Sequence, residues 1–375
     1  MICYYKKFIK ILGTFCVLIA MIFFSGMTVL AEGNTQDALN YGKQLVKQYY
    51  LEDVSDSALD SATDVNSLVK SLNDPYSAYF TEQQYNEFIN NINNSFSGIG
   101  VQIDKSSEGI KIITVFDETP AFSAGLKSGD IILKADNHEL GQASLEEAVN
   151  YIKGMPGTTV TLEVKRGDTT MNFNIERKDV VLPTVESSIL DNHIGYISIT
   201  SFGENTAEEF GAALKKLNTS NPDCYIVDIR NNGGGYMNAA TDIAGYFIGK
   251  NTVLKSYEKS GQEYVYTSPE QDTLIDKPTI FLINQYSASA SEILAAAVKD
   301  YKKAFFIGEN TYGKGVAQNI FQLPDNSYLK LTVLKFISPL GNVINKVGIA
   351  PDMLVKDSTE NNTDSLKAAR ILFSK

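Results

Sequence analysis

Two short segments of this 375-residue chain carry the side chains best suited to covalent chemistry. The first, residues 284–292, places Ser289 at a turn between an apolar run and a helical pattern. The second, residues 311–318, places Lys314 between two glycines. A serine paired with a lysine base is a known variant of the Ser-His-Asp arrangement. The two segments therefore predict a serine nucleophile whose proton is taken by a lysine.

Ser289 also has a purely structural interpretation. The order Ser-Ala-Ser-Glu from Ser289 to Glu292 is a capping box, in which the serine caps the helix that follows. The same position suits a nucleophile, because the positive end of the helix stabilises negative charge nearby. Ser287 and Ser291 are rival nucleophiles, and Ser291 is expected to lie inside the helix.

Lys314 can act as a base only when its amine is neutral. The reference pKa of lysine is about 10.4, so burial must lower it for work at neutral pH. The alternative is an ordinary surface lysine in a glycine turn. In an extended segment Lys314 and Gln318 share a face, because side chains alternate with period two, so that the Gln318 amide could orient the amine.

A glycine-rich segment, residues 228–236, follows an apolar strand pattern and reads Asp-Ile-Arg-Asn-Asn-Gly-Gly-Gly-Tyr. Glycine N–H groups at the start of a helix are suited to hold an oxyanion, although a flexible loop is the alternative. The segment lacks the Gly-Lys-Ser/Thr of a phosphate loop. The two histidines, His138 and His193, are in turn-like contexts, and no cluster has zinc-ligand spacing. We expect neither a metal nor a cofactor.

The first 31 residues have the pattern of an export signal. Lys6, Lys7 and Lys10 precede an apolar run over residues 11–30, and residues 29–31 are Val-Leu-Ala. Because about 20 apolar residues can span a bilayer, a retained membrane anchor is the alternative. In both cases the rest of the chain is expected outside the cytoplasm.

Charge and cysteine content restrict the partners and the covalent links. Removal of residues 1–31, which carry three lysines and no acidic residues, would lower the formal net charge from −11 to −14. That charge argues against nucleic acid or an anionic membrane surface as a partner. Only Cys224 lies outside residues 1–31, so no internal disulfide can form.

Hydrophobic periodicity divides the remaining chain into three parts. Residues 35–95 have apolar residues at helical spacing, with a capping box at Thr81–Gln84. In residues 98–179 apolar and polar residues alternate with period two. Beyond residue 179 strand patterns and helix patterns follow one another, which is typical of an α/β domain. The predicted strands are 98–103, 110–115, 130–133, 160–164, 195–200, 224–229, 279–283, 305–307 and 328–333. The predicted helices, beyond those before residue 95, are 121–125, 144–152, 207–217, 237–248, 290–301 and 365–373.

Residues 96–179 resemble a PDZ domain, a peptide-binding module. The resemblance rests on Gly98-Ile99-Gly100-Val101, on residues 120–125 (Pro-Ala-Phe-Ser-Ala-Gly) and on residues 126–132 (Leu-Lys-Ser-Gly-Asp-Ile-Ile). In such a module an extended C-terminal tail adds a strand, and N–H groups of the glycine turn hold its carboxylate.

The whole set of motifs resembles the carboxyl-terminal processing proteases, the tail-specific serine peptidases. The motifs are residues 228–235, 287–293 and 313–318. The resemblance implies Ser289 as nucleophile, Lys314 as base, Gln318 as its orienting partner, and the N–H groups of Ala290 and of Gly235 as oxyanion donors. Two positions depart from the family pattern: Gly233 replaces a frequent proline, and Tyr286 replaces a usual glycine.

The resemblance also implies an architecture and partners. It implies an α/β proteolytic core of the crotonase-like ββα type, with an inserted PDZ domain and an N-terminal helical region. The expected domains are 1–31 (signal or anchor), 35–95 (helical), 96–179 (PDZ), 180–356 (protease core) and 357–375 (C-terminal helix). The expected partners are proteins or peptides with apolar C-termini, and some members form homodimers through the N-terminal helices. Two alternatives remain: an inactive PDZ-containing peptide-binding protein, and a crotonase-type acyl-CoA enzyme.

Overall fold

The computed structural model describes residues 32–358 and 363–374. The described residues form two compact units: a larger unit made of residues 32–92 and of the described residues from Thr184 onward, and an inserted unit, Asn93–Pro183. The predicted signal or anchor, residues 1–31, lies outside the described residues.

The N-terminal part of the larger unit is mainly helical, as predicted. The capping box is confirmed, since Thr81 N–H donates to Gln84 Oε1 at 3.0 Å and Gln84 N–H donates to Thr81 Oγ1 at 3.3 Å. A short strand was not predicted. The elements are α1 (Glu32–Tyr49), α2 (Asp56–Ser61), α3 (Val65–Ser71), β1 (Ala78–Phe80) and α4 (Glu82–Ile92).

The inserted unit is a small β-structure with two helices. Its elements are β2 (Ser95–Gly98), β3 (Val101–Lys105), β4 (Ile110–Val115), α5 (Pro120–Ser123), β5 (Ile131–Ala135), β6 (His138–Glu139), α6 (Leu145–Ile152), β7 (Thr159–Arg166), β8 (Thr169–Glu176) and β9 (Lys178–Val181). Strands β3-β4-β5-β7-β8 form one sheet, in which β6 also pairs with β5, and β2 pairs with β9. The predicted strand 98–103 is interrupted, because Gly100 has φ +83° and the chain turns between β2 and β3.

From Thr184 onward the larger unit alternates strands and helices. Its elements are β10 (Val185–Leu190), a 3₁₀ turn (Asp191–His193), β11 (Ile194–Ile199), α7 (Thr206–Asn218), β12 (Cys224–Asp228), α8 (Met237–Ile248), β13 (Thr252–Glu258), β14 (Glu263–Thr267), β15 (Thr279–Ile283), α9 (Ala290–Asp300), β16 (Phe305–Gly308), β17 (Val316–Gln322), β18 (Tyr328–Ile337), β19 (Met353–Leu354) and α10 (Asp364–Phe373).

Two sheets organise this unit. One has the order β10-β11-β12-β15-β16-β19, parallel from β11 onward. Every residue of β12 and β15 is buried, because α7, α8 and α9 contribute to the core on one face and α10 covers the other. This two-sided burial explains the uninterrupted apolar runs in the sequence. In the second sheet the long strand β18 pairs with β1, β13 and β17, and β14 pairs with β13.

The parallel order brings the two chemically suggestive segments together. Strands β12 and β15 are neighbours, with Asp228 paired to Leu282 near their carboxyl ends. The glycine-rich segment leaves β12 and the serine-rich segment leaves β15, so both lie at the same edge of the sheet, where ligands bind in open α/β sheets. Within the described ranges, no helix combines the length and apolar character needed to cross a membrane.

Candidate active site

Ser289 stands at a sharp turn between strand β15 and helix α9. Its backbone has φ 57° and ψ −113°, a strained conformation for a residue other than glycine. Such a turn from strand to helix is the geometry that projects a nucleophile at the edge of an α/β sheet. The sequence therefore predicted both the element boundary and the position of Ser289 at the helix start.

The rival serines are engaged in structural hydrogen bonds. Ser287 and Ser291 are both fully buried. Ser287 Oγ donates to the carbonyl of Ile229 at 2.8 Å, and Ser291 Oγ donates to the carbonyl of Asn232 at 2.8 Å. Both hydroxyls therefore tie the serine segment to the glycine-rich segment.

The glycine-rich segment lies directly against Ser289. A side chain at Gly234, whose φ is +102°, would place a Cβ 2.8 Å from Ser289 Cβ and 3.0 Å from Ala290 N. Gly235 is equally constrained, since its Cβ would collide with the carbonyl of Phe202. Only glycine allows this close approach of backbone to the serine turn.

The two proposed oxyanion donors have N–H groups without acceptors among the described residues. Ala290 is the first residue of α9, where N–H groups have no partner within the helix. Gly235 and Phe202 form a parallel bridge, but its two hydrogen bonds involve the residues on either side of Gly235. Phe202 N–H donates to the Gly234 carbonyl, and Tyr236 N–H donates to the Phe202 carbonyl. Both N–H groups are thus available to a ligand.

Glu292 connects the serine turn to the lysine loop, a role that the capping-box interpretation did not predict. Its carboxylate is fully buried. Oε2 accepts from the backbone N–H of Ser289 at 2.9 Å and of Lys314 at 2.8 Å. Oε1 accepts from Gly313 N–H at 2.7 Å and from Thr311 Oγ1 at 2.5 Å. The four bonds fix the main chain of the two segments relative to each other.

The Lys314 side chain is partly buried and its amine lies over an aromatic ring. Nζ is 4.9 Å from the centroid of Tyr76. Burial, assisted by the nearby positive charge of Lys330, lowers the pKa of Lys314 to about 8, although the charges of Asp74 and Glu292 oppose the shift. A lysine with such a pKa is neutral in a useful fraction of molecules near neutral pH.

The side chains of the predicted dyad and its partner are not hydrogen bonded to one another in this conformation. Within the described residues, Lys314 Nζ makes no hydrogen bond to Ser289 Oγ or to Gln318. Gln318 Nε2 instead donates to Thr332 Oγ1 at 3.3 Å. Lys314 precedes β17, and the pairing of β17 with β18 shifts register between Ala317 and Gln318, where Val333 of β18 is the extra residue.

At the start of the glycine-rich segment, Arg230 is the centre of a buried charge network. Its guanidinium donates to Asp228 Oδ1 at 2.9 Å and Oδ2 at 2.5 Å, to Asp357 Oδ2 at 2.8 Å and to Ser365 Oγ at 2.9 Å. Tyr196 OH also donates to Asp228 at 2.8 Å. Burial opposes the charge of Asp357, but the hydrogen bonds from Ser365 and the charge of Arg230 hold its pKa below the usual range. The network joins β12 to helix α10.

In the inserted unit, the predicted peptide-binding turn lies between β2 and β3. Ile99 is 1% exposed in the core, and Val101 packs against the same core. The carbonyls of Ile99 and Gly100 accept from Ala121 and Phe116 at 2.8 and 3.1 Å. Strand β3 is at the end of its sheet and contacts α6. No strand of the described residues pairs with the outer edge of β3, and such an edge is suited to strand addition by a peptide.

Comparison with known proteins agrees with this architecture. Residues 193–355 match the model of peptidase family S41, and residues 97–176 match the model of a PDZ domain. The chain is 35% identical over 357 residues to the carboxy-terminal processing protease CtpA of Bacillus subtilis, covering 90% of this chain and 76% of that protein. It is 33% identical over 318 residues to a carboxyl-terminal-processing protease of Picosynechococcus, covering 83% of this chain and 77% of that protein.

A solved structure, the photosystem II D1 C-terminal processing protease, shares the fold. The two superpose with a TM-score of 0.55 at 23% sequence identity, covering 85% of this chain and 92% of the other. The chain belongs to the carboxy-terminal processing proteases, serine peptidases of family S41 that carry a PDZ domain. The predicted fold class and enzyme class are confirmed, and the acyl-CoA alternative is not supported.

Proposed function

We propose that this protein is an endopeptidase in which Ser289 is the nucleophile and Lys314 the base. The observation that carries the proposal is the Glu292 carboxylate, which accepts hydrogen bonds from the main chain of both residues at 2.9 and 2.8 Å. Because Glu292 fixes the main chain at both residues, it limits the distance between Ser289 Oγ and Lys314 Nζ that the two side chains must close. Catalytic hydrogen bonds often tighten only when substrate is bound, so their absence in this conformation does not argue against the pair.

The reaction would proceed by acyl transfer. Neutral Lys314 Nζ takes the proton of Ser289 Oγ while that oxygen attacks the scissile carbonyl carbon. The negative charge that develops on the carbonyl oxygen is stabilised by the N–H groups of Gly235 and Ala290. The ammonium of Lys314 then protonates the leaving amine as the C–N bond breaks, and water hydrolyses the acyl-enzyme by the reverse proton route. Gln318, which would turn from Thr332, orients the amine.

The inserted unit would select the substrate. A free C-terminal carboxylate is held by the N–H groups of Ile99, Gly100 and Val101 after Gly98, and the tail lies along β3. The Ile99 side chain is buried in the core. Ile99 therefore contributes its backbone N–H to the carboxylate, and its side chain forms the floor of the apolar site. Tails that end in apolar residues are therefore the proposed substrates.

The cellular setting is proposed from the first 31 residues. Their basic start and apolar run would export the protein, either as a cleaved signal or as an anchor on the outer face of the cytoplasmic membrane. The N-terminal helices are the proposed contact of a homodimer.

The direct test is cleavage of an unstructured peptide with an apolar C-terminus by the full chain. Ser289→Ala and Lys314→Ala should each abolish cleavage with an unchanged circular dichroism spectrum, and the double variant should be little worse than either single variant. The exposed Ser260 provides a control, since Ser260→Ala should retain full activity. Activity near the normal level in Ser289→Ala would refute the assignment of the nucleophile.

A further inference from the structure

Lys330, on strand β18, is a second partly buried lysine, and its charge is surrounded by aromatic rings. Its Nζ lies 4.7 Å from the centroid of Phe88 and 5.4 Å from that of Phe80. The two rings stack on each other with centroids 5.2 Å apart. Within the part of the chain that the structure describes, Lys330 forms no ion pair. Ring faces hold a cation in place without cancelling its charge with a carboxylate.

The same N-terminal segment holds the amine of Lys314. Lys330 pairs across the sheet with Ala78 of β1. Tyr76, two residues before Ala78, carries Lys314 Nζ over its ring at 4.9 Å. Residues 76–88 thus provide an aromatic contact for each of the two ammonium groups.

The second sheet shows which face of β18 carries Lys330. Lys330 and Thr332 share a face of β18, because side chains alternate along a strand. Gln318, the proposed partner of Lys314, donates its side-chain amide to Thr332 Oγ1 on that face. Lys330 therefore lies on the face of β18 that Gln318 contacts, and its pairing with Ala78 places it beside the segment that holds the Lys314 amine.

We propose that Lys330 is a positioning residue: its positive charge, held by Phe80 and Phe88, favours the neutral amine of Lys314. The proposal rests on the proposed role of Lys314 as the base. Like charges at short range disfavour one another's charged form, and Lys330 acts on the reaction only through Lys314. Residues 76–88, which extend from before β1 into α4, would then be part of the catalytic unit, since they contact both lysines.

Two carboxylates, those of Asp74 and Glu292, and burial also act on the charges of the two lysines. Burial is the largest influence on the pKa of Lys314, Lys330 lowers it further, and Asp74 and Glu292 raise it. Burial also lowers the pKa of Lys330, against the charge of Asp74. The Asp74 carboxylate accepts from Tyr76 N–H at 3.0 Å and from Ser77 Oγ at 2.6 Å, which occupies it without an ion pair to either lysine.

Tyr76 adds no charge near neutral pH. Burial, together with a hydrogen bond to Tyr312, raises the pKa of Tyr76 to about 12. Its ring thus stays neutral while the lysines titrate. Lys330 is therefore the only positive group acting on Lys314 among the described residues.

The first experiment measures the protonation of Lys314 without relying on activity. In full-length protein carrying Ser289→Ala, trace acylation of amines from pH 6 to 11 followed by mass spectrometry gives the pKa of Lys314. Lys330→Met should raise this pKa by about half a unit or more, whereas Lys330→Arg should leave it low. Lys335→Met is the matched control, because Lys335 is on the same strand but exposed, and it should change nothing.

The second experiment measures cleavage by the same variants in the presence of Ser289. At saturating peptide, Lys330→Met should move the ascending limb of kcat to higher pH, with a loss of about threefold at pH 7 and none above the new pKa. Phe88→Leu, which keeps the lysine but removes one ring, should shift the limb in the same direction.

The outcomes separate this inference from the proposed function. An unchanged Lys314 pKa in folded Lys330→Met, with Lys314→Ala inactive, would overturn the role of Lys330 alone. Full activity of Lys314→Ala would overturn both. An equal shift in Lys335→Met would also overturn the inference, because a remote charge would then be sufficient.

Discussion

The buried carboxylate of Glu292 accepts a hydrogen bond from the backbone N–H of Lys314 at 2.8 Å. The same oxygen accepts from Ser289 N–H at 2.9 Å, so one side chain holds the main chain of both proposed catalytic residues. The negative charge of Glu292 also raises the pKa of Lys314 and partly opposes the effect of burial. Geometry and protonation at this site are therefore coupled through one residue.

Glu292→Gln should impair both stability and catalysis. An amide offers one acceptor oxygen where the carboxylate offers two, so at least one pair of donors loses its partner. Each buried donor left unpaired costs roughly 1–3 kcal/mol. We expect kcat to fall by at least about tenfold with a smaller change in KM, and thermal unfolding to occur at a lower temperature.

A change of pH profile would distinguish this role from simple destabilisation. In the Glu292→Gln molecules that remain active, the ascending limb of the plot of kcat against pH should move to lower pH. The reason is that a negative charge that raises the Lys314 pKa has been removed. The exposed Glu270 serves as a control, and Glu270→Gln should behave like the unmodified protein. If the ascending limb of kcat moved to higher pH instead, Glu292 would not raise the pKa of Lys314.

Lys314→Met should stabilise the fold at neutral pH while removing activity. The folded pKa of Lys314, about 8, is below its unfolded value of 10.5, so the unfolded chain binds more protons between these pH values. The lysine therefore costs stability in full below about pH 8, and this cost disappears as the pH rises past 10.5. Denaturant unfolding at pH 7 and pH 10.5 should give a stability gain for Lys314→Met only at pH 7. A gain of equal size at both pH values would exclude a protonation effect.

Arg230→Met should destabilise the larger unit strongly. It leaves Asp228 and Asp357 buried without their cation, and breaking such a buried pair costs on the order of 3–5 kcal/mol. Lys367→Met is the matched control, since its ion pair with Asp364 is exposed and should contribute less than about 1 kcal/mol. Equal unfolding free energies for the two variants would mean that the network joining β12 to α10 does not stabilise the protein.

The inserted unit should read the free C-terminus of the substrate. Amidating the C-terminus of a peptide removes a charge-assisted hydrogen bond that contributes roughly 1.5–3 kcal/mol, so kcat/KM should fall by at least about tenfold. A terminal Asp should have a similar effect, because it would bring a second carboxylate into an apolar site. Equal cleavage of free-acid and amidated peptides would show that the unit does not recognise the tail.

A pair of glycine variants tests the position of this recognition. Gly100 and Gly125 both have φ +83°, but a Cβ at Gly100 would collide with Thr119, whereas a Cβ at Gly125 meets nothing within 4 Å. Gly100→Ala should therefore reduce the difference between free-acid and amidated peptides, and Gly125→Ala should preserve it. The opposite result would place recognition elsewhere in the unit.

Much of the framework around the candidate site was predictable from local patterns. The apolar runs of β12 and β15, buried on both faces, and the capping box before α9 placed Ser289 at the correct turn. The resemblance to the processing proteases indicated which serine is the candidate nucleophile and which lysine is the candidate base. These features depend on neighbours close in sequence or on motifs that keep their order.

The contacts that depend on distant parts of the chain were not predictable. Nothing in residues 287–292 indicates that Glu292 accepts from Gly313 and Lys314, because that contact forms only after the segments fold together. The contact of Lys330 with Phe80 and Phe88 likewise depends on pairing between β1 and β18. The hydrogen bond of Gln318 to Thr332 likewise depends on the pairing of β17 with β18, which residues 311–318 do not indicate by themselves.

The central claim is that Ser289 forms the acyl-enzyme with the help of Lys314. Its most direct test is rapid acid quenching of the full-length protein with an activated peptide ester, followed by mass spectrometric mapping of the acylated residue. We predict an adduct on Ser289 that is lost in Ser289→Ala and that forms far more slowly in Lys314→Ala. An adduct on Ser287 or Ser291, or acylation of Lys314→Ala at the normal rate, would contradict the account.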